Sequence, residues 1–295
     1  MALSSPIKIS FHQDETLFQE AVRHTARKTG LNAALVEKDY FCSVLLADLC
    51  AGCEEPPIFK GGTSLSKIHA DFYRLSEDLD FGISLSPDAT RSDRSRMIAP
   101  VKEWVLSIEK KDPIFKIEQK LIGFNNSKQY VAQIAYPTFV SSGLGRIKIE
   151  VGLREEILIA PVMGSVRTLL ENPFTGMPEI REFETTVLTR EETYAEKLRA
   201  ALTRREPAIR DFYDIDYAVS NLNLDLENPR LIDLVKKKLQ IPGNDEVDVT
   251  GTRKKELISQ LETQLKPVLR SIDYDAFDFE KAFRMISDLA RKITG

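Results

Sequence analysis

The chain has 295 residues, with 41 Lys plus Arg against 45 Asp plus Glu and a formal net charge of -4. At about 150 residues per domain this is one large domain or two small ones, and 42% hydrophobic with 29% charged residues supplies a core and excludes a disordered chain. No apolar run reaches the roughly 18 residues of a membrane span; the most apolar stretch, Tyr40 to Ala51, is broken by Ser43 and Asp48. A secretory leader is not expected, because no basic segment followed by an apolar one opens the chain. Three cysteines, Cys42, Cys50 and Cys53, argue against a disulfide framework and for a reducing compartment, so a cytoplasmic location is expected. With a mildly acidic whole, a nucleic-acid partner must meet a local basic patch.

Helices come first. Asp14 caps a segment in which Leu17, Phe18, Ala21, Val22 and Thr25 share a face, ending at Gly30; Asn32 caps a second through Leu35, Val36, Tyr40, Val44 and Leu45. Ile58 and Phe59 then form a very short strand, Gly61 and Gly62 a turn, and Thr63 to His69 opens a helix, with a strand expected over Asp78 to Ser84. Arg91 to Lys111 reads as one helix, followed by strands at Phe115 to Leu121, Gln129 to Tyr136 and Arg146 to Leu153. A loop carrying Pro161, Gly164, Pro173, Gly176 and Pro178 leads to a last strand, Phe183 to Leu188. Helices are expected over Glu191 to Thr203, Pro207 to Asn221, Pro229 to Leu239, Arg253 to Leu269 and Phe277 to Ile293. The fold class is therefore α/β (α+β), a mixed sheet flanked by helices in residues 1–189, followed by a helical domain in residues 190–295.

The chemistry concentrates in Lys60-Gly61-Gly62-Thr63-Ser64 and Arg74-Leu75-Ser76-Glu77-Asp78-Leu79-Asp80-Phe81. Two glycines before a hydroxyl residue at a helix start let the backbone approach a phosphate closely. On a strand Asp78 and Asp80 present two carboxylates on one face while Leu79 and Phe81 turn to the core. Such a pair repels unless a cation lies between, and oxygen-only ligation with substrate phosphates suits Mg²⁺. In Arg146-Ile147-Lys148-Ile149-Glu150-Val151, Glu150 shares its face with Lys148; beside the Asp78 strand it would complete the metal cluster. Lys197 and Arg204 give a basic helix face, Asp211 and Asp214 lie three apart on another, and Arg190, Arg199, Arg205 and Arg210 add to the local positive patch. Cys50 and Cys53 form an isolated Cys-x-x-Cys with no second pair, short of the four ligands of a zinc site.

The order Gly-Gly-Thr, spacer, Ser-x-Asp-x-Asp resembles the nucleotidyltransferase superfamily, whose fold is shared with DNA polymerase β. Lys60 to Lys67 together with Arg74 to Asp80 looks like the AbiEii/AbiGii toxin family, which includes the MenT toxins; Glu37-Lys38-Asp39-Tyr40 and the later Lys197 with Arg210-Asp211-Phe212-Tyr213-Asp214-Ile215 agree with it. The resemblance runs from about Val36 to about Tyr217. It implies that Asp78 and Asp80 hold metal with Ser76 beside them. It also implies that Gly61, Gly62 and Thr63 cradle phosphate, that Lys197 contacts the triphosphate and that Asp211 is needed for activity. Glu150 as third acid rests on the strand pattern. The implied activity is Mg²⁺-dependent transfer of a nucleoside monophosphate from an NTP to the 3′ end of tRNA, by the toxin of a toxin–antitoxin pair with a separate antitoxin protein. The same residues also suit a non-catalytic NTP- or RNA-binding module in phage defence, or a transferase acting on protein.

Overall fold

The structure is a computed structural model that describes residues 9–86 and 88–294. The chain divides into two compact units, Met1–Leu188 and Thr189–Gly295. In the first, α1 (Glu15–Thr29) starts where the Asp14 carboxylate accepts from the Leu17 N–H and stops at Gly30, whose left-handed φ of 73° ends the helix. Asn32 caps α2 (Ala33–Gly52) in the same way. Helix α2 is apolar nearly all round and buried accordingly, packing against α1, α5 (Ala99–Lys111) and the sheet. Its Phe41 ring meets Tyr136 at 4.2 Å and Phe115 at 5.7 Å between centroids, which fastens the helix to one sheet face.

Among the described residues the sheet has seven strands: β1 (Ile58–Lys60), β2 (Leu79–Gly82), β3 (Lys116–Phe124), β4 (Gln129–Pro137), β5 (Leu144–Gly152), β6 (Val162–Val166) and β7 (Phe183–Val187). Their spatial order is β3-β4-β5-β2-β1-β7-β6. The pairs β5/β2 and β1/β7 are parallel and the others antiparallel, so the sheet is mixed. Between β1 and β2 the chain makes α3 (Gly61–Ser64), running into a π-helical turn at Leu65–His69. Two helices, α4 (Arg91–Met97) and α5, stand where one was expected; Pro100 in the first turn of α5 lacks an N–H, and the chain restarts there after Ile98.

Strand β6 occupies ground read from sequence as loop. Val162 and Met163 are exposed and Gly164 sits within it, so no alternation announced a strand; five backbone pairings with β7 create it. Gly164 is required because a Cβ there would come 2.8 Å from Val187 and 2.9 Å from Ile68.

The second unit consists of α6 (Arg190–Thr203), α7 (Ile209–Asn221), α8 (Pro229–Leu239), α9 (Gly251–Ser259), α10 (Ser271–Ala276) and α11 (Phe279–Thr294). The helix expected to run to Leu269 ends at Ser259 and continues as a π turn and a 3₁₀ turn at Pro267, and α10 was not expected. Phe212 of α7 stacks on Phe283 of α11 at 5.9 Å. Lys238, in the last turn of α8, is fully buried, 2.7 Å from the equally buried Glu192 and 3.2 Å from Glu196. No helix among the described residues is long and apolar enough to cross a membrane.

Candidate active site

Strand register brings the acids together. On β2 and β5, in parallel, Asp80 pairs with Glu150 and Phe81 with Val151; on the other side Asp80 pairs with Lys60 of β1. Because side chains alternate, Leu79, Phe81, Ile149, Val151 and Phe59 are buried while Lys60, Asp80, Lys148 and Glu150 share the opposite face and are half-buried. Asp78 lies one residue before β2, which is shorter than the strand expected from sequence.

The glycine turn is built against this face. Gly61 has φ of 77°, and a Cβ on it would come 2.9 Å from the Asp80 Cβ; a Cβ on Gly62 would come 2.8 Å from Arg74 Nη2 and 2.9 Å from Ser76 Oγ. Only glycine lets Asp80, Arg74 and Ser76 lie so close to the backbone. Gly61→Ala is expected to cost about 1–3 kcal/mol for the left-handed backbone and to displace the Asp80 carboxylate. Chemical denaturation and an assay of transfer together check this, and an alanine variant with unaltered stability would show that the turn does not need glycine. The Thr63 hydroxyl, buried, donates to the Asp78 carbonyl and fixes the entry to β2. Ser64 Oγ donates to the Gly61 carbonyl at 2.9 Å and Ser66 Oγ to that of Arg74 at 2.7 Å, so the turn is braced by its own hydroxyls.

The same register crowds like charges onto the acidic face. Burial pushes the Asp80 carboxyl up to about 6; Glu150 and Asp78 push the same way while Lys148 and Lys60 oppose. Lys148 Nζ lies 3.2 Å from Glu150 Oε2 and 3.6 Å from Asp78 Oδ2. Burial works against its charge, yet Asp78, Glu150 and Asp80 outweigh it and hold the ammonium above its ordinary value. Gln129 Nε2 donates to Glu150 Oε1 at 2.8 Å.

Among the described residues no three His, Cys, Asp or Glu side chains gather closely enough to form a ready metal cage. The donor set nevertheless suits a hard cation: carboxylate oxygens stand on neighbouring strands, with Glu150 and Asp78 among the causes that raise the Asp80 carboxyl, and Mg²⁺ asks for one or two carboxylates with phosphate and water completing its shell. The cysteines are free thiols, and burial raises all three above the ordinary value.

Sequence reasoning did not single out the brace behind the turn. Lys67, three residues beyond Ser64, is fully buried and lies 2.6 Å from Asp39 Oδ1 and 2.7 Å from Ser43 Oγ on α2. Glu37 accepts from the Phe139 N–H at 2.7 Å and Lys38 pairs with Glu77 at 3.0 Å, so the Glu37-Lys38-Asp39-Tyr40 segment ties α2 to the rest of the unit. A lysine following a glycine turn was visible in the sequence; its burial was not.

In the second unit, Lys197 is mostly buried between Asp211, at 2.7 Å, and Asp214, at 2.8 Å, and Arg204 lies 3.2 Å from the second oxygen of Asp211. Burial would raise the Asp211 carboxyl, but Lys197 and Arg204 prevail and hold it below its usual value. Glu192 and Glu196 serve Lys238.

The central strands of a mixed sheet thus present carboxylates beside a Gly-Gly turn. Residues 44–286 match the family model described as "Nucleotidyl transferase AbiEii toxin, Type IV TA system"; the chain belongs to the AbiEii family of nucleotidyl transferase toxins of Type IV toxin–antitoxin systems. The match includes most of the helical tail, which the motif resemblance did not reach, and begins after Tyr40. A crystal structure of JHP933 from Helicobacter pylori is similar in fold, with a TM-score of 0.50 at 15% identity over 89% of this chain and 93% of that one. A nucleotidyltransferase candidate from H. pylori aligns at 16% identity over 89% and 96%, with a TM-score of 0.49. No curated protein matches the sequence.

Proposed function

We propose that the chain is a Mg²⁺-dependent toxin that transfers a nucleoside monophosphate from an NTP to the 3′ end of tRNA and so blocks translation. The observation that carries the reading is the pairing of Asp80 with Glu150 across the central strands, on the face where Gly61 and Gly62 let the backbone come close. We place the carboxylate and glycine-turn chemistry in residues 1–189 and read residues 190–295 as a separate helical domain. Asp78 and Asp80, with Glu150 as third acid, would hold the metal; Mg²⁺ when bound supplies charge neutralisation for an in-line displacement. Gly61, Gly62 and the Thr63 backbone would cradle phosphate, with Ser76 beside them, and the attacking hydroxyl would form its bond to the α-phosphorus as pyrophosphate leaves. The roles of Lys197, as a phosphate contact, and of Asp211, as a residue needed for activity, rest on the family. Membership implies an antitoxin, and the tRNA acceptor and the cytoplasmic location are part of this reading.

The test is incubation of the purified protein with total tRNA and each α-labelled NTP, with and without Mg²⁺, resolved on a denaturing gel. Label on tRNA that requires Mg²⁺ is expected and names the nucleotide. Label on polypeptide would move the acceptor to protein, and no label anywhere would overturn transfer in favour of a binding module.

A further inference from the structure

The acidic face carries a cation of the chain's own. Lys148 stands two residues before Glu150 on β5, and the period of the strand puts both on the face of Asp80. Its ammonium lies between Glu150 and Asp78, 3.2 and 3.6 Å from their oxygens. Glu150 has its other oxygen engaged by Gln129 at 2.8 Å, so both of its oxygens are committed inside the protein. Lys148 is a long, flexible side chain and 43% exposed, free to swing toward solvent, whereas Glu150 is 30% exposed and held from two sides.

An ammonium at these distances fills the space that a metal shared by Asp78 and Glu150 would need, and two cations do not occupy it together. Leaving two carboxylates is costly for Lys148 unless another anion receives it, and a nucleotide brings several phosphate oxygens. We propose that Lys148 is the resident counter-cation of the carboxylate site, held by Glu150 and Asp78 and transferred to a phosphate of the incoming nucleotide when a divalent cation takes its place. Glu150 holds Lys148 until the metal takes its place, and Gln129, through its bond to Glu150, is the positioning residue. Metal binds weakly alone and more tightly with nucleotide, because each removes the obstacle to the other. This role for Lys148 rests on the proposed metal-dependent site.

The test is Mn²⁺ binding to the full chain, by calorimetry or by the spin resonance of free Mn²⁺, with and without a non-hydrolysable NTP. Lys148→Met is expected to bind Mn²⁺ alone on the order of tenfold more tightly than wild type, and to lose most of the enhancement by nucleotide. Lys148→Arg should restore weak binding of the metal alone, because it returns the charge. Lys148→Gln keeps a polar side chain and serves the same comparison if the methionine variant does not fold. Mn²⁺ affinity unchanged or weakened in the neutral variants, with wild type binding measurably and Asp80→Asn not, would overturn the role of Lys148 and leave the metal site standing. No Mn²⁺ binding to wild type or to any Lys148 variant, with nucleotide or without, would overturn both.

Discussion

Asp80→Asn is expected to abolish nucleotide transfer and yet to melt at a higher temperature than wild type when no divalent cation is present. The carboxyl of Asp80 is raised from 3.8 to about 6 by burial and by its neighbours Glu150 and Asp78. The folded chain therefore binds this proton more tightly than the unfolded chain does, and ionisation above about pH 6 weakens the fold. Each tenfold difference in proton affinity between the two states corresponds to about 1.4 kcal/mol; with part of the charge screened by solvent, removing it should stabilise by about 2 kcal/mol. In a unit of this size that is several degrees, at about 2–4 °C per kcal/mol. The sign fixes the pH window. As pH falls from about 7 to about 4, wild type recovers this stability by protonation, so its gap to the asparagine variant should close. Added Mg²⁺ with NTP should stabilise wild type and not the variant, reversing their order. Thermal melts at several pH values, with a parallel transfer assay, check each part; an active variant, or one that melts below wild type near neutral pH, contradicts the assignment.

Breaking the ion pair behind the glycine turn should have the largest effect on stability. Lys67 is wholly buried against Asp39, so Lys67→Met leaves a carboxylate without its cation in the core. Loss of one partner of such a pair costs about 3–5 kcal/mol, whereas replacing both by apolar residues is often nearly neutral. The single variant should fall by on the order of 10 °C in melting temperature, and Asp39→Leu with Lys67→Met should recover much of that. The pair joins α2 to the helix that follows Gly61 and Gly62, so transfer should fall with the single variant even at temperatures where it stays folded. A chemical-denaturation double-mutant cycle measures the coupling; a loss in the double variant equal to the sum of the two single losses would show that Lys67 and Asp39 do not stabilise the fold as a pair.

Much of the molecule follows from local rules that act within a few residues. Asp14, Gly30 and Asn32 place the first two helices because a capping side chain or a left-handed glycine satisfies its own neighbours. Strands β4 and β5 alternate clearly because one face is packed and the other is not. The Gly-Gly turn and the acids at 78 and 80 stand out because few other residue types tolerate that backbone or supply that charge. What distance in sequence conceals is decided by the sheet. Val162 to Val166 is a strand because β7 lies beside it, and Lys148 meets Asp78, some seventy positions earlier, because β5 runs parallel to β2. Lys67, Lys197 and Lys238 all stand on segments expected to be helical, and each lies buried or nearly so in an ion pair with acids that tertiary packing alone brings within reach. Residue type and spacing decide what a segment can do locally; the energy of a charge depends on which other charges and how much water surround it, and that is set only when distant segments pack.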